Sequence, residues 1–230
     1  MKILPLAYLG SIEWWREALS PDAIIDVGEH YIKQSCRNRC EIATASGRMS
    51  LTANVVKGAS IHKRALKDMR LDYSKRWQHQ HSVALRSAYR SSAYYDYWAD
   101  LLVPFYEQPH EWLYDFNRGL AEVVCKITGH TGELRFSEKY LTAGEGDVDL
   151  RGHDFLGPRE GMPDYWQVFM EKVPFEPNLS IIDYLFNEGR NIDELKIENY
   201  FLFFPTLPEP PIISITLITP ITPITLCPKS

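Results

Sequence analysis

The sequence predicts an α/β domain: a mixed sheet begun by an N-terminal βαβ unit, followed by a helical mid-chain segment. Three observations carry this. "KILPLAYL" at the start and "DAIIDVG" at 22–28 are short apolar runs suited to buried strands, and "SIEWWREALS" between them reads as a helix. Strand, helix and strand in immediate succession suit a parallel pair joined by a crossover. From Lys75 onward the apolar residues recur with helical spacing.

The elements follow in order. Ser11 stands where the first helix begins and is a good N-cap. Asp26 falls at the carboxyl end of the second strand, the edge where open α/β sheets hold ligands. "CEIATA" and "MSLTANVV" flank "SGR", the pattern of a hairpin around a glycine turn. Residues 58–72 form a basic connector into "MRLDYS", a further short strand. Three helical segments come next: "KRWQHQHSVALRSAYR", "SAYYDYWADLLVPFYE" and "EWLYDFNRGLAEVVCKITG". In the last, Leu113, Phe116, Leu120, Val123, Val124 and Ile127 recur at spacings of three and four, and Gly129 is placed to close the helix. "ELRFSEKYLT" reads as a strand, 142–164 as a Gly-, Asp- and Pro-rich loop, and "YWQVFMEKV" as another strand. "LSIIDYLFNEG" reads as a helix with Ser180 at its N-cap and Gly189 near its end. Beyond about residue 195 the chain repeats Ile, Thr and Pro with almost no charge. Frequent prolines remove ladder donors and forbid helix, so an extended or disordered tail is expected. The expected organisation is a domain over 1–195 and a tail over 196–230.

Hydrophobic residues make up 45% of the 230 and charged residues 24%, and the net charge is −5. A chain that grips nucleic acid by its phosphates is normally basic, so no nucleic-acid partner is expected. The run from Lys57 to Arg76 holds seven Lys or Arg beside Tyr73 and Trp77, but a solvated basic face accounts for it. No apolar stretch approaches the ~18 residues of a membrane span, and the N-terminus lacks the pattern of a signal peptide. With only four scattered cysteines, Cys36, Cys40, Cys125 and Cys227, a reducing, cytoplasmic setting is expected. Neither GxGxxG nor GxxxxGK[ST] nor GxSxG occurs, which removes the common phosphate loops and the hydrolase elbow. Nothing in the sequence names a cofactor or an oligomeric state.

Several segments in a fixed order carry a family likeness: "EHYIKQSCRNRCEI", "WQHQHSVALRSAYRSSAYYDYWAD", "LYDFN" at 113–117, "YWQVF" at 165–169 and "FEPNLSIIDYLFNEG" at 175–189, after an N-terminal strand with Gly10 downstream. From about residue 3 to about 190 the chain resembles the WbqC-like proteins, bacterial proteins associated with surface polysaccharide. The resemblance implies a role in O-antigen-type biosynthesis, with transfer of an amino acid, glycine, onto a sugar as the activity proposed for such proteins. The start, "ILPLAYLGSIEWW", lacks the Gln-Pro pair of many relatives, and the Ile-Thr-Pro tail has no family counterpart.

The stretch "HYIKQSCRNRCEI" is the richest in chemistry. If it is extended, Arg37 and Arg39 share a face and Asn38 points opposite, and two guanidiniums on one side make a fork for a phosphate or carboxylate. The alternative is an ion-pair network with Asp22, Asp26 or Glu29. On the first reading Lys33, Arg37 and Arg39 bind an anionic small molecule, a sugar nucleotide or an amino acid, while Asp26 and Asn38 orient it. His81 is the candidate general base, with Asp26 beside it as the second catalytic candidate. Gln167, Asp183 and Asn187 are further candidates for substrate contact, the last two four apart on one helix face. Cys36 and Cys40 with His79 and His81 have the residue types of a zinc site, but the pairs are not spaced as in a finger and no metal is expected. A cysteine nucleophile with a histidine base is the other weighed use of these thiols. The expected activity is that of a transferase moving an amino-acid or acyl group onto a sugar. The alternative is a non-catalytic protein that binds a sugar nucleotide or a partner.

Overall fold

The strand β1 (Lys2–Pro5) lies between two parallel neighbours, β2 (Ala23–Asp26) on one side and β5 (Val148–Asp149) on the other. The computed structural model describes residues 1–58, 63–130 and 132–190 of the chain. Lys2 pairs with Ala23 and Pro5 with Asp26, so the apolar runs read from the sequence lie side by side. Residues 3–5 of β1 are buried, as strands covered on both faces require. The crossover is α1 (Ile12–Ala18). Ser11 caps it by accepting from the Trp14 backbone N–H at 3.3 Å. The Trp14 indole then donates to the Pro5 carbonyl at 2.8 Å, tying the helix to the end of β1. The N-terminal βαβ unit is present as expected.

The loop between β1 and α1 is buried throughout, so its backbone groups need protein partners. Tyr8 N–H donates to Cys36 O at 2.8 Å, Ile181 N–H to Gly10 O at 2.9 Å, and the Ser180 hydroxyl to Leu9 O at 2.6 Å. A Cβ at Gly10 would lie 2.5 Å from the Trp14 ring, which is why the chain has glycine there.

A second, antiparallel pair follows: β3 (Arg39–Thr44) with β4 (Gly47–Thr52), in the register Arg39–Thr52 to Thr44–Gly47. The turn is Ala45–Ser46, with Gly47 at φ +93°. Then come α2 (Trp77–Tyr89), α3 (Tyr95–Glu107) and α4 (Leu113–Thr128). The face of α4 bearing Leu113, Phe116, Leu120, Val124 and Ile127 is buried, and Gly129 ends the helix in the left-handed conformation (φ 69°). The last described helix is α5 (Ile181–Glu188), whose apolar positions are all buried.

Three expected strands differ from what the chain forms. "MRLDYS" makes only isolated bridges, Arg70 with Trp112 and Leu71 with Val55. "ELRFSEKYLT" makes one parallel bridge, Phe136 with Ile25. Further pairing is replaced by the Asp26 carboxylate, which takes the Ser137 hydroxyl at 3.0 Å and the Leu141 N–H at 3.1 Å. "YWQVFMEKV" forms turns, because Gln167 turns inward and bonds both backbone groups of Glu176 with its side chain (3.0 and 2.9 Å). Conversely, β5 lies inside the Gly/Asp/Pro-rich loop, where no strand was expected. Ser180 does not cap α5; its hydroxyl is spent on Leu9. The tail expected over 196–230 lies outside the described residues.

Candidate functional site

Three buried polar clusters stand out. The first occupies the carboxyl edge of the parallel sheet. Asp26, fully buried at the end of β2, accepts from Gly28 N–H (2.9 Å), Ser137 Oγ, Leu141 N–H and Arg151 Nη1 (2.6 Å). Arg151, just past β5, also forks onto Asp149 with 2.8 and 2.5 Å bonds. Glu29 and Arg37 form a fork-to-fork pair, Nε to Oε1 at 2.8 Å with Nη2 on Oε2, and Arg37 Nη2 also donates to Arg151 O at 2.9 Å. Burial pushes the Glu29 carboxyl up to about 7, a rise that Arg37 opposes without cancelling.

The second cluster is a hydrogen-bonded chain. Tyr8 Oη lies 2.8 Å from His81 Nδ1 and 2.9 Å from Tyr106 Oη. With the ring proton on Nε2, Nδ1 accepts from the Tyr8 hydroxyl and the Tyr8 oxygen is left to accept from Tyr106. Burial lowers the His81 pKa to about 4 and raises that of Tyr8, so at neutral pH every member is uncharged. Trp77 and Phe116 wall the group, with ring centroids 5.2 Å from His81 and 5.4 Å from Tyr8 respectively.

The third cluster centres on Asp183, fully buried in α5. Its carboxylate accepts from Tyr89 Oη (2.7 Å), Tyr165 Oη (2.6 Å) and Gln167 Nε2 (3.0 Å). Burial raises its pKa while these donors pull it down.

The residues singled out from sequence are divided among these clusters. Asp26 and Arg37 meet in the first, His81 is in the second, and Gln167, Asp183 and Asn187 are in the third. The Asn187 amide donates to the Asp183 backbone carbonyl at 2.8 Å. Arg37 precedes β3, so strand alternation does not align it with Arg39, the first residue of β3. Arg37 is buried on Glu29, whereas Arg39 donates to Thr52 Oγ1 at 3.3 Å. Of the acids weighed as partners, Glu29 takes Arg37 and Asp26 takes Arg151. The Asn38 amide donates to Ala53 O at 3.0 Å, and its carbonyl oxygen is buried with no partner among the described residues. Lys33 is exposed. Cys36 and Cys40 are buried, and burial pushes the Cys36 thiol up to about 12 and Cys40 upward as well, which removes thiolate at neutral pH. His79 is exposed while His81 faces the core. Among the described residues no three His, Cys, Asp or Glu side chains are grouped to hold a metal.

Sequence reasoning missed Tyr8, Tyr106 and Arg151. Arg151 had a signal, a lone cation in the acidic stretch "EGDVDLRGHD". The two tyrosines had none, because their hydroxyls meet only in the folded chain.

Glu29 and His81 impose opposite pH slopes. Between its unfolded value near 4.5 and its folded value near 7, Glu29 binds more protons when folded, so stability falls as pH rises through that window. His81, lowered from 6.5 to about 4, binds fewer when folded, so stability falls as pH drops through its window. The two largely offset in the parent chain. Glu29→Gln is therefore expected to unmask a stability that rises from pH 4 to 7. His81→Gln is expected to unmask one that falls over the same range. Urea unfolding at several pH values reads both; parallel profiles for parent and variants would rule this out.

A parallel βαβ unit with a buried polar cluster at the carboxyl end of β2 defines the class, a mixed α/β protein. The chain belongs to the WbqC-like protein family, whose model matches residues 23–153. That span contains Asp26, Glu29, Arg37, His81, Tyr106 and Arg151, while Tyr8 and Asp183 lie outside it. The chain is also similar to the uncharacterized protein Rv1507c of Mycobacterium tuberculosis, 30% identical over 190 residues that cover 69% of this chain and 80% of the relative. No solved structure matches the chain. Among the described residues no helix is long and apolar enough to cross a membrane.

Proposed function

We propose that this WbqC-like protein is a cytoplasmic transferase in bacterial surface-polysaccharide assembly, moving an amino-acid or acyl group onto a sugar. The observation that carries the reading is the hydrogen-bonded chain Tyr106–Tyr8–His81, which ends in an imidazole kept neutral by burial. A neutral imidazole can take a proton, and Nδ1 already holds a hydroxyl hydrogen at 2.8 Å. In the proposed step the sugar hydroxyl or amine attacks the carbonyl carbon of an activated acyl donor. Its proton is relayed along the chain, to Tyr106, from Tyr106 to Tyr8 and from Tyr8 to His81 Nδ1, and the donor's leaving group departs with its bonding electrons. No covalent enzyme intermediate is needed.

The test is a thermal-shift screen of the purified protein against nucleotide sugars, acyl donors and amino acids. Each stabilising donor and acceptor is then incubated together, and the sugar is weighed by mass spectrometry. Transfer that drops about 10²–10⁴-fold in His81→Gln, with the fold retained, is the expected result. A second reading, non-catalytic binding of a sugar nucleotide or partner, is favoured by one observation: the guanidinium of Arg37 and the imidazole of His81 belong to different clusters. Stabilisation without transfer would select it. Silence across the panel would count against the transferase and against sugar-nucleotide binding, and would turn the second reading toward a protein partner.

A further inference from the structure

We propose that Tyr140 is a stacking platform for the base of a nucleoside diphosphate, so that the ligand of the carboxyl-edge crevice is a nucleotide-linked sugar. This deepens the reading above and rests on it. Tyr140 is 54% exposed, yet its position is fixed from several sides. Its backbone presses on Gly28 so closely that a Cβ there would sit 2.1 Å from Tyr140 N. The next residue, Leu141, is held at both backbone groups, its N–H by Asp26 and its carbonyl by Arg151 Nη1 at 2.8 Å. The Arg151 guanidinium covers one side of the ring, 4.5 Å from its centroid. The His30 ring lies alongside, exposed, at 6.4 Å and tilted by 28°.

An exposed aromatic normally keeps its rotamer freedom. Here the backbone beside the ring is held and the Arg151 guanidinium sits against one of its faces, which lowers the cost of stacking a planar ligand on it. The location suits such a ligand, since open α/β sheets take nucleotides outside the carboxyl ends of their strands. Cations for the phosphates come from the basic connector that the transferase reading leaves unused. His30 bridges Ala65 in antiparallel fashion, with Tyr31 N–H donating to Arg64 O at 2.9 Å and Leu66 N–H to Glu29 O at 2.8 Å. This brings exposed Lys63 and Arg64 beside His30. Asp26 and Asp149 share the single cation of Arg151, which offsets one of their two charges, and Lys63 and Arg64 together outweigh the other.

The plain alternative is a roof: the ring merely shields the Arg151–Asp26 pair from water. Calorimetric titration of the full chain with uridine, thymidine, guanosine and adenosine diphosphates, uridine alone and pyrophosphate alone separates the two, with thermal unfolding run in parallel. At least one nucleoside diphosphate is expected to bind. Tyr140→Leu, which keeps an apolar cover, is expected to weaken binding about 10–100-fold with melting unchanged, whereas Tyr140→Phe retains binding. The double variant Lys63→Ala/Arg64→Ala is expected to weaken the diphosphate several-fold and uridine hardly at all. Binding by none of the four diphosphates overturns the platform, as does a Tyr140→Leu variant that binds like the parent. Pyrophosphate binding as tightly as every nucleotide would reduce the site to a simple anion site and likewise overturn it. Each of these results leaves acyl transfer through His81 standing, because an acyl donor or sugar acceptor need not carry a nucleotide.

Discussion

Asp183→Ala is expected to be the most damaging single change in the chain. It strands two tyrosine hydroxyl hydrogens in the interior and takes from the Gln167 amide one of its acceptors, leaving it Glu176 O and Tyr165 Oη. At about 1–3 kcal/mol for each buried group left unsatisfied, the loss is roughly 4–5 kcal/mol or more. For a chain of this size that lowers Tm by on the order of 10–15 °C. The damage should spread beyond α5, because Tyr165 and Gln167 anchor the irregular 165–176 segment and the Tyr89 hydroxyl also accepts from Ala43 N–H on β3 at 3.3 Å. Asp183→Asn keeps the shape and one acceptor oxygen, and should recover a large part of the loss. Melting both variants by circular dichroism decides the matter. If alanine melts within a few degrees of the parent, the buried donors do not depend on the carboxylate and the cluster contributes no net stability.

Arg37→Ala comes next. The substitution leaves the Glu29 carboxyl buried without its cation and removes the donor that Arg151 O receives. Breaking a buried pair by taking one partner away costs about 3–5 kcal/mol, whereas replacing both by apolar residues is often neutral. The double variant Glu29→Leu/Arg37→Met should therefore be markedly more stable than Arg37→Ala alone. Urea midpoints of the parent, both single variants and the double form the necessary cycle. Equal midpoints for Arg37→Ala and the double variant would show that the unpaired carboxyl is not what destabilises.

Much of the fold was legible because its signals are local. The β1–α1–β2 unit follows from two apolar runs and a serine cap, and α4 from its periodicity and Gly129. Asp26 could be put at the end of β2 for the same reason. The strands expected at 133–142 and 165–173 do not form, because their apolar composition is real but their backbone partners are not. In both, a buried side chain, Asp26 or Gln167, takes up backbone groups that a ladder would have used. The two residues of β5 were invisible, since nothing in "DVDL" announces that Val148 pairs with Lys2 at the other end of the domain's sequence. The site divides in the same way. Residue types pointed to His81, Arg37 and Asp183, but which of them meet depends on contacts across 70 to 125 residues, such as Tyr8 with His81 and Asp26 with Arg151.

The pairing of β1 with β5 has a consequence for how the chain is made. The middle strand of the parallel sheet is made long before one of its two neighbours, which is not translated until residue 149. At ~5–20 residues per second, β1 waits on the order of ten seconds with that edge open. The buried loop behind it waits longer still, for Leu179, Ser180 and Ile181 to bind Ile12, Leu9 and Gly10. Through that interval a nascent chain exposes an apolar strand edge and two tryptophans, which makes it a natural client for a ribosome-associated chaperone.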